Sequence, residues 1–385
     1  MSDQKKYIAH LDLDCFFVSV ERIKNPDLRE KPVVVGGIGR RGVVSSASYE
    51  ARKYGVRSAM PTRQALDLCP QLIVVRGSHD EYGKLSKKLF LRMCDFSPVI
   101  ERASIDEMYM DFTGCENLYA HNLPRLMYDL QKLVLREFQL PCTISLASNK
   151  VVSKIAAGTA KPNGVCYVPH GTEKDFLYPL PIGVIPGVGT KTEIELKKYG
   201  FNRIADIQNA PLDSLIALLG DHARYIYNTA FGIGNAELET DWKRKSISNE
   251  TTFGEDSNNV DELLKILFSL AEQVCFTTRL YKWEGKTVKL KLRYSDFSTI
   301  TRNITLNNPT NDDKIVFDAV KKIFLKSYNK KRTVRLLGVG LSHFTDASEG
   351  NLSIFPQDEK RTKALNAVDA LRKKFGEDSI HTGSV

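Results

Sequence analysis

Ile8-Ala9-His10-Leu11-Asp12-Leu13-Asp14 is an apolar run that carries two carboxylates, two residues apart, at its end. The segment alternates and is rich in Ile, Leu and Ala, so residues 7–14 read as a strand that runs into a helix at 16–24. Period-2 geometry puts Asp12 and Asp14 on the same side of that strand. Far downstream, Ser104-Ile105-Asp106-Glu107 falls between two expected strands, 98–103 and 107–112, which form a hairpin. Neighbours on a straight strand face opposite ways, so Asp106 and Glu107 can serve one site only at a turn, and the hairpin tip supplies it. Carboxylates from two strand ends are the donors that hard divalent cations require, and two Mg²⁺ ions are the usual device of phosphoryl transfer. The plainer reading is that such acids only keep a sheet edge soluble.

Working outward, Pro32-Val33-Val34-Val35 and Val43-Val44-Ser45 look like further strands, with short helices at 47–54 and 61–68. A helical stretch at 79–95 precedes the hairpin; helix 122–138, strand 142–147 and helix 149–160 follow it. Lys161-Pro162-Asn163-Gly164 is a strong stop signal. This mixture favours an α+β fold over a purely parallel sheet. From 166 to 240 the texture changes to short helices separated by Pro-Gly turns. Thr240-Asp241-Trp242-Lys243-Arg244-Lys245 has linker character with a basic end. Strands are then expected at 246–254, 286–295, 299–306 and 334–343, with helices near 260–280 and 313–327. Beyond about 345 come a polar stretch and an amphipathic helix near 358–375. There is no internal repeat and no low-complexity tract.

The chain has 385 residues, which at ~150 per domain suggests two to four domains. With 42% hydrophobic and 26% charged residues it is not a wholly disordered chain. No run approaches the ~18 apolar residues of a membrane span, and the N-terminus leads into the first strand without a signal-peptide apolar region. The seven cysteines are scattered without a C-x-x-C pair, so reduced thiols in the cytoplasm are expected in place of disulfides or zinc. Fifty-five basic against 46 acidic side chains leave a net charge of +9. It is unevenly spread: +6 over 1–165, −3 over 166–240, +7 over 241–345 and −1 over 346–385. Two basic blocks flanking an acidic one suggest a polyanion held at two places, although solvated surface charge would look alike.

Four segments could grip phosphate. Ser45-Ser46-Ala47-Ser48-Tyr49-Glu50-Ala51-Arg52 follows a Val-rich strand and opens a helix whose N-terminus a serine can cap and an anion can approach. Tyr49 and Arg52 share one face of that helix, and a phenol and a guanidinium so placed could hold a triphosphate. Lys150 and Lys154, four apart near the start of another helix, could add point charges. Ile185-Pro186-Gly187-Val188-Gly189 before a helix at Thr190 has helix-hairpin-helix form, in which Gly187, Val188 and Gly189 let backbone approach a DNA phosphate without reading sequence. In Thr287-Val288-Lys289-Leu290-Lys291-Leu292-Arg293-Tyr294 the apolar residues form one face and Lys289, Lys291 and Arg293 the other. That is a phosphate-tracking ribbon or a plain solvated face.

Taken together and in this order, the segments from His10 through Glu21, Ser48 to Arg52, Ser104 to Glu107, Lys154-Ile155-Ala156-Ala157 through Gly164, and the Pro-Gly-Val-Gly hairpin resemble the Y-family translesion DNA polymerases, most of all the bacterial DNA polymerase IV (DinB) group. The resemblance covers nearly the whole chain. It implies an α+β multidomain right hand: a ferredoxin-like palm (1–15 and 77–165), small fingers (16–76), a helical helix-hairpin-helix thumb (166–240), an α/β little finger (241–345) and a tail (346–385). It implies a low-fidelity, template-directed DNA polymerase of damage tolerance, a monomer working on primer-template DNA and dNTPs with two Mg²⁺ ions. Asp12, Asp106 and Glu107 match the catalytic metal-binding carboxylates, with the Leu13 carbonyl as a further ligand. Phe16, Phe17, Ser46, Tyr49, Arg52 and Lys154 match the nucleotide site, with Phe17 as the ring that excludes a 2′-hydroxyl. Asp14 matches a position that the family does not use as a ligand. In the tail, Asn351-Leu352-Ser353-Ile354-Phe355 looks like the family's Gln-Leu-Ser-Leu-Phe contact with the sliding clamp, with Leu352, Ile354 and Phe355 as anchors and Asn for the leading Gln.

Two other functions fit the sequence less well. A catalytically silent DNA- and clamp-binding relative should have lost the carboxylates, yet Asp12, Asp106 and Glu107 are all present. A nucleotidyl cyclase shares two-metal chemistry on a similar sheet, but the helix-hairpin-helix and the basic C-terminal block argue against it.

Overall fold

The computed structural model describes residues 5–241, 243–347, 356–376 and 379–380. The chain divides into two compact units, Met1–Trp242 and Lys243–Val385. In the first, strand β1 (Ile8–Leu13) runs into helix α1 (Phe16–Lys24), and strands β2 (Val33–Gly36) and β3 (Val44–Ala47) follow. Helices α2 (Tyr49–Lys53) and α3 (Thr62–Leu68), strand β4 (Ile73–Val75) and helix α4 (His79–Met93) come next. The hairpin β5 (Val99–Arg102) and β6 (Glu107–Asp111), helix α5 (Leu123–Phe138), strand β7 (Cys142–Ala147), helix α6 (Lys150–Ala160) and strand β8 (Val165–Tyr167) complete the sheets of this unit. Helices α7 (Glu173–Leu177), α8 (Thr190–Lys198), α9 (Ile204–Gln208), α10 (Leu212–Leu219) and α11 (His222–Ala230) end it.

The main sheet has the order β5-β6-β1-β7-β8. β1 is antiparallel to both neighbours, with Asp12 opposite Glu107 on β6 and Thr143 on β7. Without β8, this is the β-α-β-β-α-β order of a ferredoxin-like sheet. Its helical face is dry: Ala9, Leu11 and Leu13 of β1 pack with Tyr82, Leu89 and Met93 of α4 and Met127, Leu130 and Val134 of α5. Because strands alternate, that face leaves His10 and Asp12 to the other side. A second sheet, β3-β2-β4, has its own small core around Val34, Ala47 and Ala51. The two short strands β4 and β8 were not expected, since three residues carry too little alternation to register.

The second unit holds strand β9 (Ser246–Ser257), helix α12 (Val260–Leu280), strands β10 (Trp283–Tyr294) and β11 (Thr299–Thr310), helix α13 (Asp313–Ser327), strand β12 (Val334–Asp346) and helix α14 (Pro356–Phe375). Its sheet, β11-β10-β12-β9, is covered on one face by α12 and α13. Val288, Leu290, Leu292 and Tyr294 are buried there, each worth roughly 1.5–3 kcal/mol. Lys289 on the opposite face is exposed, as the alternation requires. The strands outrun expectation; β11 continues through Pro309, which an edge strand tolerates. Asn259 caps α12 and Asp312 caps α13 through backbone N–H groups.

Helix α14 lies against α12 and α13 through buried charge. Arg279 of α12 bridges Asp313 at 2.7 Å and Asp369 of α14 at 2.7 Å, and Arg372 of α14 meets Glu272 at 3.0 Å. Such pairs offset their own desolvation only when well bonded, and they select one docking geometry for the helix. All seven cysteines are free, and no helix among the described residues is long and apolar enough to cross a membrane.

Candidate active site

The antiparallel register of β1 and β6 fixes the site. It sets Asp12 directly across from Glu107, and like charges so placed repel. Asp12 is only 7% exposed. Burial first, and then the neighbouring Glu107, push its carboxyl up to about 7, against the pull of the Lys161 ammonium that hydrogen-bonds to it. Glu107 moves the other way. His10, with Nε2 at 3.9 Å, and the Lys154 ammonium at 2.5 Å hold it well below the usual carboxylate range. Burial lowers the pKa of His10 itself, against the pull of Glu107, and the ring lies tilted against Tyr109 with centroids 4.7 Å apart.

One ligand atom each from His10, Asp12 and Glu107 lie within 4.8 Å of one another. Carboxylate oxygens that converge, repel and are compensated by ammonium groups on flexible stems suit a hard divalent cation. Asp106, at the hairpin tip, is not among these converging residues. Its peptide oxygen accepts the Leu13 N–H at 3.0 Å, and its carboxylate accepts Ser104 Oγ at 2.5 Å. Leu13 is thereby held by backbone at the end of β1, with its side chain in the core.

Next to this group, in the segment after β3, Ser48 caps α2 through the Ala51 N–H at 3.2 Å. That helix has a single turn, so the expected open helix N-terminus is replaced by side chains alone. Arg52 lies over the Tyr49 ring, 4.7 Å from its centroid, and donates Nε to the Ala47 carbonyl at 3.0 Å. Tyr49 Oη donates to Asp14 at 3.0 Å. Ser46 sits in β3 opposite Val35. On α1, Phe16 is buried in the core, whereas Phe17 is half-buried and stacks on Tyr82 with centroids 4.5 Å apart. Tyr82 Oη in turn donates to Glu21 at 2.6 Å, one turn after Phe17, so the ring is held from two sides. Lys150 turns away to Glu101 at 2.7 Å.

Gly187, Val188 and Gly189 lead into α8, with Gly187 at φ +91°, a conformation that favours glycine. What precedes them is a three-residue 3₁₀ turn, Ile182–Val184. In the second unit Lys289, Lys291 and Arg293 line the open face of β10. A groove of about 360 Å³ runs there beside Gly338 and Gly340, which stand opposite Lys291 and Lys289 and carry no side chain to fill it. Lys291 pairs with Glu250 at 2.6 Å, and Arg293 donates to Thr299 at 2.9 Å. Leu352, Ile354 and Phe355 lie outside the described residues.

Sequence reasoning missed four participants. Lys161 reaches Asp12, although Lys161-Pro162-Asn163-Gly164 gives a stop signal and a family match but no role for the lysine. His10 supports Glu107, and its place two residues before Asp12 on one strand face was the available signal. Thr143 and Asn163 converge on Asp14.

Residues 11–158 match the impB/mucB/samB family, and residues 244–354 match the impB/mucB/samB family C-terminal domain. The chain is 40% identical over 378 residues to a DNA polymerase IV of Dehalococcoides mccartyi, covering 98% of this chain and 96% of the relative. It is 36% identical to a DNA polymerase IV of Caulobacter vibrioides, covering 98% and 93%. Among solved structures it is similar to a Y-family DNA polymerase chimera of Dbh and Dpo4, with a TM-score of 0.78 at 26% identity over 88% of this chain and 99% of that one. It is also similar to an insertion ternary complex of Dbh DNA polymerase, with a TM-score of 0.65 at 26% identity over 88% and 99%.

The raised Asp12 carboxyl has a consequence for stability. A carboxyl whose pKa rises on folding favours the folded state below its unfolded value of 3.8 and loses that contribution as pH rises through about 7. At pH 8 in EDTA, Asp12→Asn should therefore raise the midpoint of thermal unfolding, by about 2 °C or more. Millimolar Mg²⁺ should raise the wild-type midpoint and leave that of the variant unchanged. A midpoint lowered by the substitution would mean that the Lys161 pairing outweighs the repulsion.

Proposed function

The chain belongs to the impB/mucB/samB family and is a DNA-directed DNA polymerase, and from that premise we propose that it is a translesion enzyme working by two-metal phosphoryl transfer. The reaction is attack of a primer 3′-oxygen on the α-phosphorus of a template-paired dNTP, with pyrophosphate leaving. Low fidelity and a role in damage tolerance rest on the family relationship. The observation that carries the mechanism is the facing pair Asp12 and Glu107 on neighbouring strands.

Asp12, the Leu13 carbonyl, Asp106 and Glu107 would hold two Mg²⁺ ions. When bound, the ions supply Lewis acidity at the attacking and leaving oxygens. Tyr49, Arg52, Lys154 and Lys161 then serve the triphosphate, and the two lysines exchange a carboxylate for phosphate oxygens as the nucleotide arrives. Phe16 joins them through its backbone N–H at the start of α1, and Ser46 from β3. Phe17, held by Tyr82, meets the sugar at the 2′ position.

Primer-template DNA would be held through phosphates by the Gly187–Gly189 turn and by Lys289, Lys291 and Arg293 on the open sheet face, where Gly338 and Gly340 leave room for a backbone. The enzyme acts as a monomer in the cytoplasm, with palm 1–15 and 77–165, fingers 16–76, thumb 166–240, little finger 241–345 and tail 346–385. Leu352, Ile354 and Phe355 bind a sliding clamp; Asn351 shortens the polar end of that contact by one methylene and leaves the apolar anchors.

Asp106→Ala or Glu107→Ala should abolish primer extension while leaving primer-template affinity within a few-fold, because affinity comes mainly from Lys and Arg contacts. Robust Mg²⁺-dependent extension by either variant contradicts the mechanism. Phe17→Ala should admit ribonucleotides, read as the ratio of kcat/KM for dNTP and rNTP; an unchanged ratio makes Phe17 a packing residue only. Deleting residues 351–355 should remove stimulation by the clamp and spare clamp-free synthesis. Equal loss of both would make the segment structural.

A further inference from the structure

Asp14 has no part in the mechanism above, yet it is 2% exposed and its carboxylate gathers donors from three separate segments. Tyr49 Oη donates to Oδ1 at 3.0 Å from helix α2. Thr143 Oγ1, on β7, lies 3.2 Å from Oδ1 and 3.1 Å from Oδ2. The Asn163 N–H, in the turn after α6, donates to Oδ2 at 2.7 Å. The backbone of Asp14 is equally committed: its carbonyl accepts Ser19 Oγ at 2.7 Å, and its N–H donates to the Pro141 carbonyl at 2.9 Å. A buried carboxylate is costly unless its oxygens are satisfied, and here each oxygen has two donors within reach.

These partners are not arbitrary. Tyr49 shares its helix with Arg52, and Asn163 follows Lys161 by two residues in a turn where Asn163 adopts φ +52°. Asparagine tolerates that left-handed conformation better than most residues, and in it the Asn163 N–H meets Asp14. Lys161 reaches Asp12 from the same turn. Asp14 thus ties the strand end bearing Asp12 to both groups of cations on the nucleotide side.

We propose that Asp14 is a positioning residue for the incoming nucleotide, locking Tyr49 and the Lys161–Gly164 turn so that they meet the triphosphate in one geometry. The proposal rests on the reading that Tyr49 and Lys161 face the triphosphate. Asp14 touches no substrate itself. Its loss should act on dNTP binding more than on turnover, and not on DNA.

The test uses the full chain in single-nucleotide insertion, with dNTP KM and kcat, primer-template Kd by anisotropy and the unfolding midpoint measured for each variant. Asp14→Asn converts one acceptor oxygen into a donor among donors. It should raise dNTP KM about tenfold, change kcat less than about threefold and leave primer-template Kd within about twofold. Lys161→Met should raise KM as well, and the double variant should exceed the worse single by no more than about twofold, because both act through one turn. If Lys161→Met raises KM and Asp14→Asn does not, or if the two effects multiply, the positioning role is wrong. If Lys161→Met leaves KM unchanged, the triphosphate reading fails and takes the proposal with it. Should Asp14→Asn not fold, Thr143→Val removes one donor and keeps the carboxylate. It should raise KM by a smaller factor in the same direction, and an unchanged KM overturns the proposal.

Discussion

Two carboxylates set face to face across an antiparallel ladder are the constraint from which the rest of the site follows. Asp12 and Glu107 cannot move apart, because the same register that opposes them also pairs Ile8 with Asp111 and Leu11 with Met108. A one-residue slip would turn Ala9, Leu11 and Leu13 out of the core and bring His10 and Asp12 into it. The hydrophobic face therefore holds a repulsive pair in place. The repulsion is met in the protein alone by Lys154, in the middle of α6, and Lys161, just past its end. In the proposed mechanism the same two lysines meet the triphosphate, so one set of charges would serve both states of the site.

Around this pair, the neighbouring groups are fixed by bonds that have nothing to do with charge neutralisation. Phe17 is braced by Tyr82, which is braced by Glu21. Asp14 is saturated by Tyr49, Thr143 and Asn163. Phe17 and Asp14, which flank the repelling carboxylates, thus have settled partners of their own.

Much of this was legible in the sequence. The strand and helix bearing Asp12 and Phe17, the hairpin bearing Asp106 and Glu107, and the two-faced strand of Lys289 to Tyr294 all follow from periodicity, and the structure has them. What sequence could not show was which side chains meet across long separations. Lys161 and Asp12 lie 149 residues apart in the chain, as do Asn163 and Asp14. A stop signal reports where a helix ends and not where its last lysine points. Asp14 was seen as a second carboxylate on one strand side, and only its three donors reveal why it is unavailable to a cation. The short helix α2 was legible too, since Ser48 announces its start and Gly55, at φ +87°, its end.

The central claim, that Asp12 and Glu107 face each other in order to hold divalent cations, is tested most directly by counting them. Electron paramagnetic resonance of Mn²⁺ can be titrated into the full chain bound to a dideoxy-terminated primer-template and the matching dNTP. The account predicts two bound ions per wild-type chain and the loss of at least one in Glu107→Gln, with primer-template still bound. A wild-type count below two, or a full complement retained by the variant at unchanged affinity, would contradict it.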